Sequence, residues 1–340
     1  MLDIKCMTVL VTGAAGFIGA HVARRLLALG SAVTGVDNLN TYYDPKLKLH
    51  RLTVVKQTAP DKWRFIHGDL TDQAVVEQVF TDTHPDVVVH LAAQAGVRFS
   101  VTNPGACVAS NLLGFHHVLE ACRQTHVKHL IYASSSSVYG DDTTPPFAED
   151  AKADHPVSLY AATKRCDELL AHSYGTLYAL PCTGLRFFTV YGPMGRPDMA
   201  YFKFTDKLRR GEDIDLYNHG HCQRDFTYID DVVEGVVRVL CRPPALPTVY
   251  NLGCGEPVEL TEFVSTLHQA LINAEVLPAD HDLAAHMHRV SMQPGDVQTT
   301  WADMSRFMTK FDFKPTTTLR AGLRTFAEWY ANMYVKNTGP

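Results

Sequence analysis

Five short apolar runs rich in β-branched residues mark the first half of the chain, at 7–11, 32–36, 64–67, 87–91 and 130–133. Between them, apolar positions recur with helical spacing over 17–29, 71–83 and 104–125. Strands that are apolar on both faces and separated by helices predict a parallel sheet covered on two sides. Right-handed crossovers make that a doubly wound α/β fold. The stretch 41–60 breaks the rhythm; it is polar and basic and predicts a surface excursion. After about residue 190 the pattern loosens. "YGPMGRPDMA" is a Gly/Pro-rich loop, 203–210 reads as helix, and "HGHCQRDFTYIDD" is a second loop. Asp230 or Asp231 is the expected N-cap of a helix over 232–240. The expected division is a sheet domain over 1–190 and a smaller α+β lobe over 191–340. Segments around 226–252 are expected to return to the sheet.

Composition narrows the function classes. The chain has 340 residues, 46% hydrophobic and 20% charged, with a formal net charge of −5. A mild negative charge without a basic run argues against nucleic acid as a partner. No apolar stretch reaches the roughly 20 residues a membrane helix needs. The start, "MLDIKCMTVLVTG", runs straight into a glycine turn rather than a cleavage site, so no signal peptide is expected. Eight scattered cysteines without a C-x-x-C read as reduced thiols in a cytoplasmic protein. The histidines of "HDLAAHMH" have no zinc-site spacing and read as a polar helix or loop.

Residues 12–19, "TGAAGFIG", carry the first chemistry. Gly13, Gly16 and Gly19 follow a strand and open a helix. In that setting the first glycine permits a tight turn, the second lets backbone approach a pyrophosphate, and the third allows close helix–strand packing. Asp37 ends the next strand. A carboxylate there accepts both ribose hydroxyls and repels a 2′-phosphate, which favours NAD over NADP. Phe17, Ile18 and Asn38 complete this part of the candidate site. Asp69 and Leu70 follow the third strand, where an acidic residue can meet an adenine amino group. Leu91, Ala92 and Ala93 follow the fourth, where small residues let backbone pass close to a cofactor.

Tyr160 and Lys164, in "YAATK", are four apart and share a helix face. A free tyrosine ionises near pH 10, too high for a base at neutral pH. A neighbouring ammonium favours the phenolate. The pair is then an acid/base for alcohol–ketone interconversion, with hydride passing to NAD.

"TGAAGFIG", "AAQAG", "SSSSVYG", "YAATK" and "LRFFTVYG" together resemble the extended short-chain dehydrogenase/reductase family over nearly the whole chain. That resemblance implies a Rossmann domain with tightly bound NAD and a nucleotide-sugar substrate held by the second lobe. More narrowly, "AAQAGVRFS", "TGLRFFTVYGPMGRPDMA", "RDFTYIDD" and "MQPGDVQTTWAD" are similar to the UDP-glucuronate 4-epimerases. The resemblance implies Tyr160 as acid/base, Lys164 as its ribose-binding partner, and Ser135 as the hydroxyl that bonds the sugar O4. Met194 stands where tryptophan is expected and changes loop packing rather than chemistry.

Related dehydratases carry Asp-Glu directly after the catalytic hydroxyl, and UDP-xylose-forming decarboxylases carry a glutamate in this stretch. Here the two positions are Ser136 and Ser137, so no carboxylate is available for elimination. The resemblance makes these hydroxyls, with Thr189, the donors to an anionic group on C5 of the sugar; strand-end capping is the alternative for both serines. Arg196 is implied on the sugar side, Arg224 on the diphosphate, and Asp296 on the uridine ribose. Arg196 reads alternatively as a solvated loop arginine. Gln293 replaces an arginine of galactose-type epimerases. Arg98 faces either substrate or solvent. The helices 104–125 and 160–178 resemble those that pair as a four-helix bundle in the family's homodimer.

The expected function is a cytoplasmic NAD-dependent 4-epimerase of a UDP-hexuronate, interconverting UDP-glucuronate and UDP-galacturonate through a transient 4-keto sugar. No metal, nucleic acid or membrane is expected. The rivals are an epimerase of a neutral UDP-sugar and a non-catalytic NAD-binding regulator. Tyr160 with Lys164 counts against the second.

Overall fold

The structure is a computed structural model that describes residues 2–141, 144–291 and 298–336. The first half alternates strand and helix. Its strands are β1 (Thr8–Thr12), β2 (Ala32–Asp37), β3 (Trp63–His67), β4 (Val87–His90), β5 (His129–Ser135) and β6 (Cys182–Phe187). Its helices are α1 (Phe17–Ala28), α2 (Pro45–Thr58), α3 (Gln73–Thr83), α4 (Val97–Thr102), α5 (Pro104–Cys107), α6 (Gly114–Gln124) and α7 (Leu159–Tyr178). The second half adds strands β7 (Thr189–Tyr191), β8 (Ile214–Leu216), β9 (Gln223–Tyr228), β10 (Thr248–Leu252), β11 (Pro257–Glu259), β12 (Met287–Arg289) and β13 (Thr299–Thr300). It also adds helices α8 (Ala200–Arg209), α9 (Ile229–Leu240), α10 (Leu260–Asn273), α11 (Ser305–Phe311) and α12 (Leu319–Tyr330).

Seven parallel strands form the main sheet in the order β10-β6-β5-β4-β1-β2-β3. The chain leaves β1 toward one edge and resumes at β4 toward the other. That reversal opens a crevice at the carboxyl ends of β1 and β4. Alternate residues of each strand feed two cores. Val9 and Val11 pack with Leu26 of α1 and Val236 of α9; Leu10, Val88 and Leu130 pack with Phe80 of α3 and Phe115 of α6. Burial on both faces is why these strands read as unbroken apolar runs. The first core continues into the lobe through Phe188, Tyr191 and Phe226.

The lobe is built on β9, which pairs with β7, β11 and β13. Helices α10 and α12 cover it, and aromatic rings fill the gap; Phe226 stacks on Phe263 with centroids 4.0 Å apart. Strand β10 extends the main sheet after this excursion.

Three expectations are corrected. The stretch 41–60 is not a surface excursion: Asp44 caps α2 by accepting from Lys46 N, Pro45 fills its first turn, and Leu47, Lys48, Arg51 and Val55 are buried. Its apolar stripe is too thin to register because two of the four buried side chains are cationic. Neither Asp230 nor Asp231 is an N-cap. Tyr228 holds that position of α9, both aspartates lie in the first turn, and Asp231 accepts from Thr316 N and Thr317 N. The helical run 104–125 contains a π-helical segment, Val108–Leu113, between α5 and α6.

Candidate active site

The crevice is lined by the carboxyl ends of six of the seven sheet strands and by the loop before α8. Gly13 has φ +68°, which an L side chain rarely adopts, and a Cβ there would lie 2.7 Å from Ala92 N. A Cβ on Gly19 would collide with Gly13 O. The turn is therefore closed on itself and on the β4 loop. It presents bare backbone and the start of α1 to the crevice. Asp37 accepts from Ala15 N at 3.1 Å and Leu39 N at 2.8 Å, which fixes its carboxylate beside that turn. Asn38 donates to Asp69 at 2.9 Å. Phe17, Ile18, Leu70, Leu91, Ala92 and Ala93 also line the wall. This arrangement fits a dinucleotide: pyrophosphate at the helix start, ribose at Asp37, adenine toward Asp69.

Ser158 caps α7 by accepting from Ala161 N and sets Tyr160 in the first helical turn. Tyr160, Lys164 and Ser135 line one wall together. Lys164 is buried and donates to Ala133 O at 2.9 Å and to Asp167 at 3.0 Å. Ser135 caps the short 3-10 turn Ser136–Tyr139 by accepting from Ser137 N, and its hydroxyl donates to that of Ser137 at 3.1 Å. The capping role falls to Ser135, with the Ser137 hydroxyl bonded to it; Ser136, Ser137 and Thr189 are not among the residues that line the crevice. Ser135 is paired in register with Phe187, so Ser137 and Thr189 each follow two residues beyond adjacent strand positions.

Arg196 lines the crevice and forms a two-pronged pair with Asp198, to which Tyr42 OH also donates at 3.1 Å. Arg224 and Arg98 stand apart from this wall. Arg224 donates to Gln223 O and Gln298 O, both at 2.9 Å. Arg98 is exposed, with its guanidinium 5.2 Å from the Tyr217 ring centroid. Asp296 and Gln293 lie outside the described residues. Among those described, no three His, Cys, Asp or Glu residues are placed to hold a metal ion.

Several residues were not anticipated. Asn111, buried in the π-helical segment, accepts from Gln94 N and donates to Gln94 O and Thr163 Oγ1. It ties the crevice loop after β4 to α7, and such π-segments recur at functional sites. Lys48 lines the crevice and donates to Asn40; burial pushes its ammonium below the usual lysine range, opposed by Asp37. Arg51, fully buried, donates to Met194 O, Ala15 O, Gly195 O and Tyr43 OH. Only the two basic residues, Lys48 and Arg51, carried a signal in the sequence, and most partners of the three are remote along the chain.

Residues 9–253 match the NAD dependent epimerase/dehydratase family, more than half of the chain. The chain belongs to that family. It is 45% identical to the protein CapI of Staphylococcus aureus, over 97% of this chain and all of that protein. It is 43% identical to a probable UDP-glucuronate 4-epimerase of Rhizobium meliloti, covering 96% of this chain and 98% of the other. A crystal structure of UDP-glucuronic acid 4-epimerase from Bacillus cereus, in complex with UDP-glucuronic acid and NAD, superposes with a TM-score of 0.86 at 32% identity. That match covers 96% of this chain and all of the other.

Proposed function

We propose that this chain is an NAD-dependent 4-epimerase that interconverts UDP-glucuronate and UDP-galacturonate. The observation that carries the reading is one crevice wall with Tyr160, Lys164 and Ser135 on it, followed in the chain by serines at 136 and 137 and not by carboxylates. The likeness to the Bacillus cereus enzyme supports the substrate. The glycine turn, Asp37, Asn38 and Asp69 hold the cofactor. NAD held there would supply the hydride acceptor for oxidation at C4 of the sugar and the hydride donor for its reduction from the opposite face.

Tyr160 takes the proton from the O4 hydroxyl as C4 is oxidised, and returns it at the end. Lys164 favours the phenolate and holds the ribose. Ser135 bonds O4 and steadies it during the transfer. The 4-keto-hexuronate is a β-keto acid, which loses CO2 most easily when its carboxylate bond aligns with the carbonyl π system. Ser136, Ser137 and Thr189 hold the carboxylate out of that alignment. Arg196 meets the sugar, Arg224 and Asp296 anchor the UDP, and Arg98 borders the substrate entrance. With no acid or base at 136 and 137, the chain neither eliminates water nor assists decarboxylation.

The protein acts in the cytoplasm, consistent with eight free cysteines. No helix among the described residues is long and apolar enough to cross a membrane. It pairs as a homodimer through α7 and the run of α6 with the π-helical segment before it, where Leu113, Leu169 and Leu177 are exposed. Such side chains bury favourably in a four-helix bundle. The 1–190 segment serves the cofactor and carries the reactive residues, and the 191–340 segment, apart from the part around 226–252 that returns to the sheet domain, serves mainly the nucleotide sugar.

The test is proton NMR of UDP-glucuronate with the protein and NAD. A growing UDP-galacturonate anomeric signal without UDP-pentose is expected, and Tyr160→Phe is expected to abolish turnover while still binding NAD. An unchanged spectrum, with turnover of UDP-glucose instead, would overturn the substrate assignment.

A further inference from the structure

The Lys164 ammonium is not alone in its pocket. Asp167, one turn along α7, stands 3.0 Å from it, and both side chains are 2% exposed. The neighbouring carboxylate, Glu168, is saturated with donors from Ser134, Arg165 and Arg186. Asp167 differs: its Oδ1 is buried without a hydrogen-bond partner among the described residues. A carboxylate placed only for structure would be satisfied at both oxygens. Among the described residues Asp167 is committed to one cation.

We propose that Asp167 is a positioning residue for the acid/base pair. It holds the Lys164 ammonium in the wall and offsets part of the positive charge that reaches the Tyr160 hydroxyl, so setting the pH at which Tyr160 ionises. This rests on the reading of Tyr160 as acid/base.

An epimerase gives out and takes back the same proton in each turnover. Phenol and phenolate must then be close in free energy at the working pH. An uncompensated ammonium in a dry wall would hold the phenolate too firmly for it to act as a base. A partial counter-charge behind the ammonium restores the balance.

Other titratable groups around the pair do not supply that charge. His90, from β4, is kept neutral, pushed down to about 3 by burial and by Lys164. Tyr132 of β5 and Cys182 of β6 are held protonated by burial. Arg186 of β6 is engaged with Glu168 at 2.8 Å, and Arg165 reaches Glu168 at 2.9 Å. Cys107 of α5 is held protonated by burial, Arg98 of α4 lies over Tyr217, Arg196, whose charge reaches Tyr160, is paired with Asp198, and His116 and Glu120 meet α7 at Tyr174. Burial pushes Asp167 up to about 6, opposed by Lys164. Below that pH Asp167 takes a proton and the whole ammonium charge acts on Tyr160.

The test is an ultraviolet titration of tyrosinate in NAD-loaded protein, with Tyr160→Phe as background, in the parent and in Asp167→Asn. The Tyr160 midpoint is expected to fall by roughly one pH unit in Asp167→Asn. The acid limb of kcat/KM should move equally, and Asp167→Glu should stay near the parent. An unchanged midpoint in folded Asp167→Asn overturns the proposal. Should that variant not fold, Asp167→Ser removes the same charge and is expected to show the same fall. If neither folds while Asp167→Glu does, Asp167 is a structural anchor and the proposal is wrong. The titration needs no turnover, so a failure to turn over UDP-glucuronate would not alter what the midpoint says about Asp167.

Discussion

Arg51→Met is the perturbation whose outcome says most about how the two halves of the site are joined. Arg51 is completely buried and meets no carboxylate. Its guanidinium spans from Ala15 O, in the glycine turn, to Met194 O and Gly195 O, in the loop that carries Arg196. A fourth bond goes to Tyr43 OH. Methionine keeps the apolar stem and drops every donor. Four bonds from a charged donor are worth roughly 6–12 kcal/mol at about 1.5–3 each. Removing an unpaired buried cation returns several kcal/mol of desolvation. The bonds win by about 3 kcal/mol, a change of roughly a hundredfold in the folding equilibrium. With a urea m-value of about 3 kcal/mol/M, the midpoint should fall by roughly 1 M. NAD content after purification and KM for UDP-glucuronate should worsen together, because one side chain pins both loops. Arg51→Lys is expected to do nearly as badly, since one ammonium cannot meet three separated carbonyls. Parent-like stability and NAD content in Arg51→Lys would refute the geometric argument and leave only charge.

Three other outcomes follow from the same geometry. Gly19→Ala drives a Cβ into Gly13 O and should strip NAD from the purified protein, whereas Gly105→Ala, with nothing within 4 Å, should keep it; NAD retained in both would contradict the cradle. Ser137→Ala combined with Thr189→Val should release UDP-pentose alongside UDP-galacturonate in the NMR assay, and a pentose-free spectrum would remove the carboxylate clamp. Burial pushes His21 and His90 down to about 3 and His129 to about 4. The unfolded chain binds those protons near pH 6.5, so their contribution is present above that pH and lost below it. By about pH 5 each should have cost about 2 kcal/mol, while Asp167, raised to about 6, returns only about 1. Urea midpoints should therefore fall between about pH 7 and pH 5, and a flat profile would count against neutral buried histidines.

The order of the strands through residue 135, with α1 and α3 between them, was legible because burial on both faces leaves unbroken β-branched runs. The glycine turn was legible because steric closure demands glycine at fixed spacing. Strand β6 and strand β10 were harder to see: "CTGLRF" and "TVYNL" carry Arg186 and Asn251, whose polar groups are satisfied inside the fold. A linear pattern cannot show that satisfaction. Helix α2 was misread for the same reason, since Arg51 and Lys48 point inward toward partners at 15, 40, 194 and 195. Tyr160, Lys164 and Ser135 could be found from spacing and resemblance; Asp167 and Asn111 could not, because their roles exist only once α7 lies against β5 and the π-helical segment.

Three cations around the reactive wall share one feature. Lys164 has Asp167 at 3.0 Å, Arg186 has Glu168 at 2.8 Å, and Arg196 has Asp198. Each pair is partly compensated, which weakens the field at the wall proposed to meet the sugar. A sugar that must turn over between two hydride transfers would be trapped by a strong fixed charge beside its carboxylate, since breaking a desolvated ion pair costs several kcal/mol. Neutral hydroxyls at Ser135, Ser136, Ser137 and Thr189 offer bonds of about 1 kcal/mol each, weak enough to exchange during rotation. Charge thus holds α7, β5, β6 and the Arg196 loop in place, while in the proposed mechanism neutral groups meet the part of the ligand that moves.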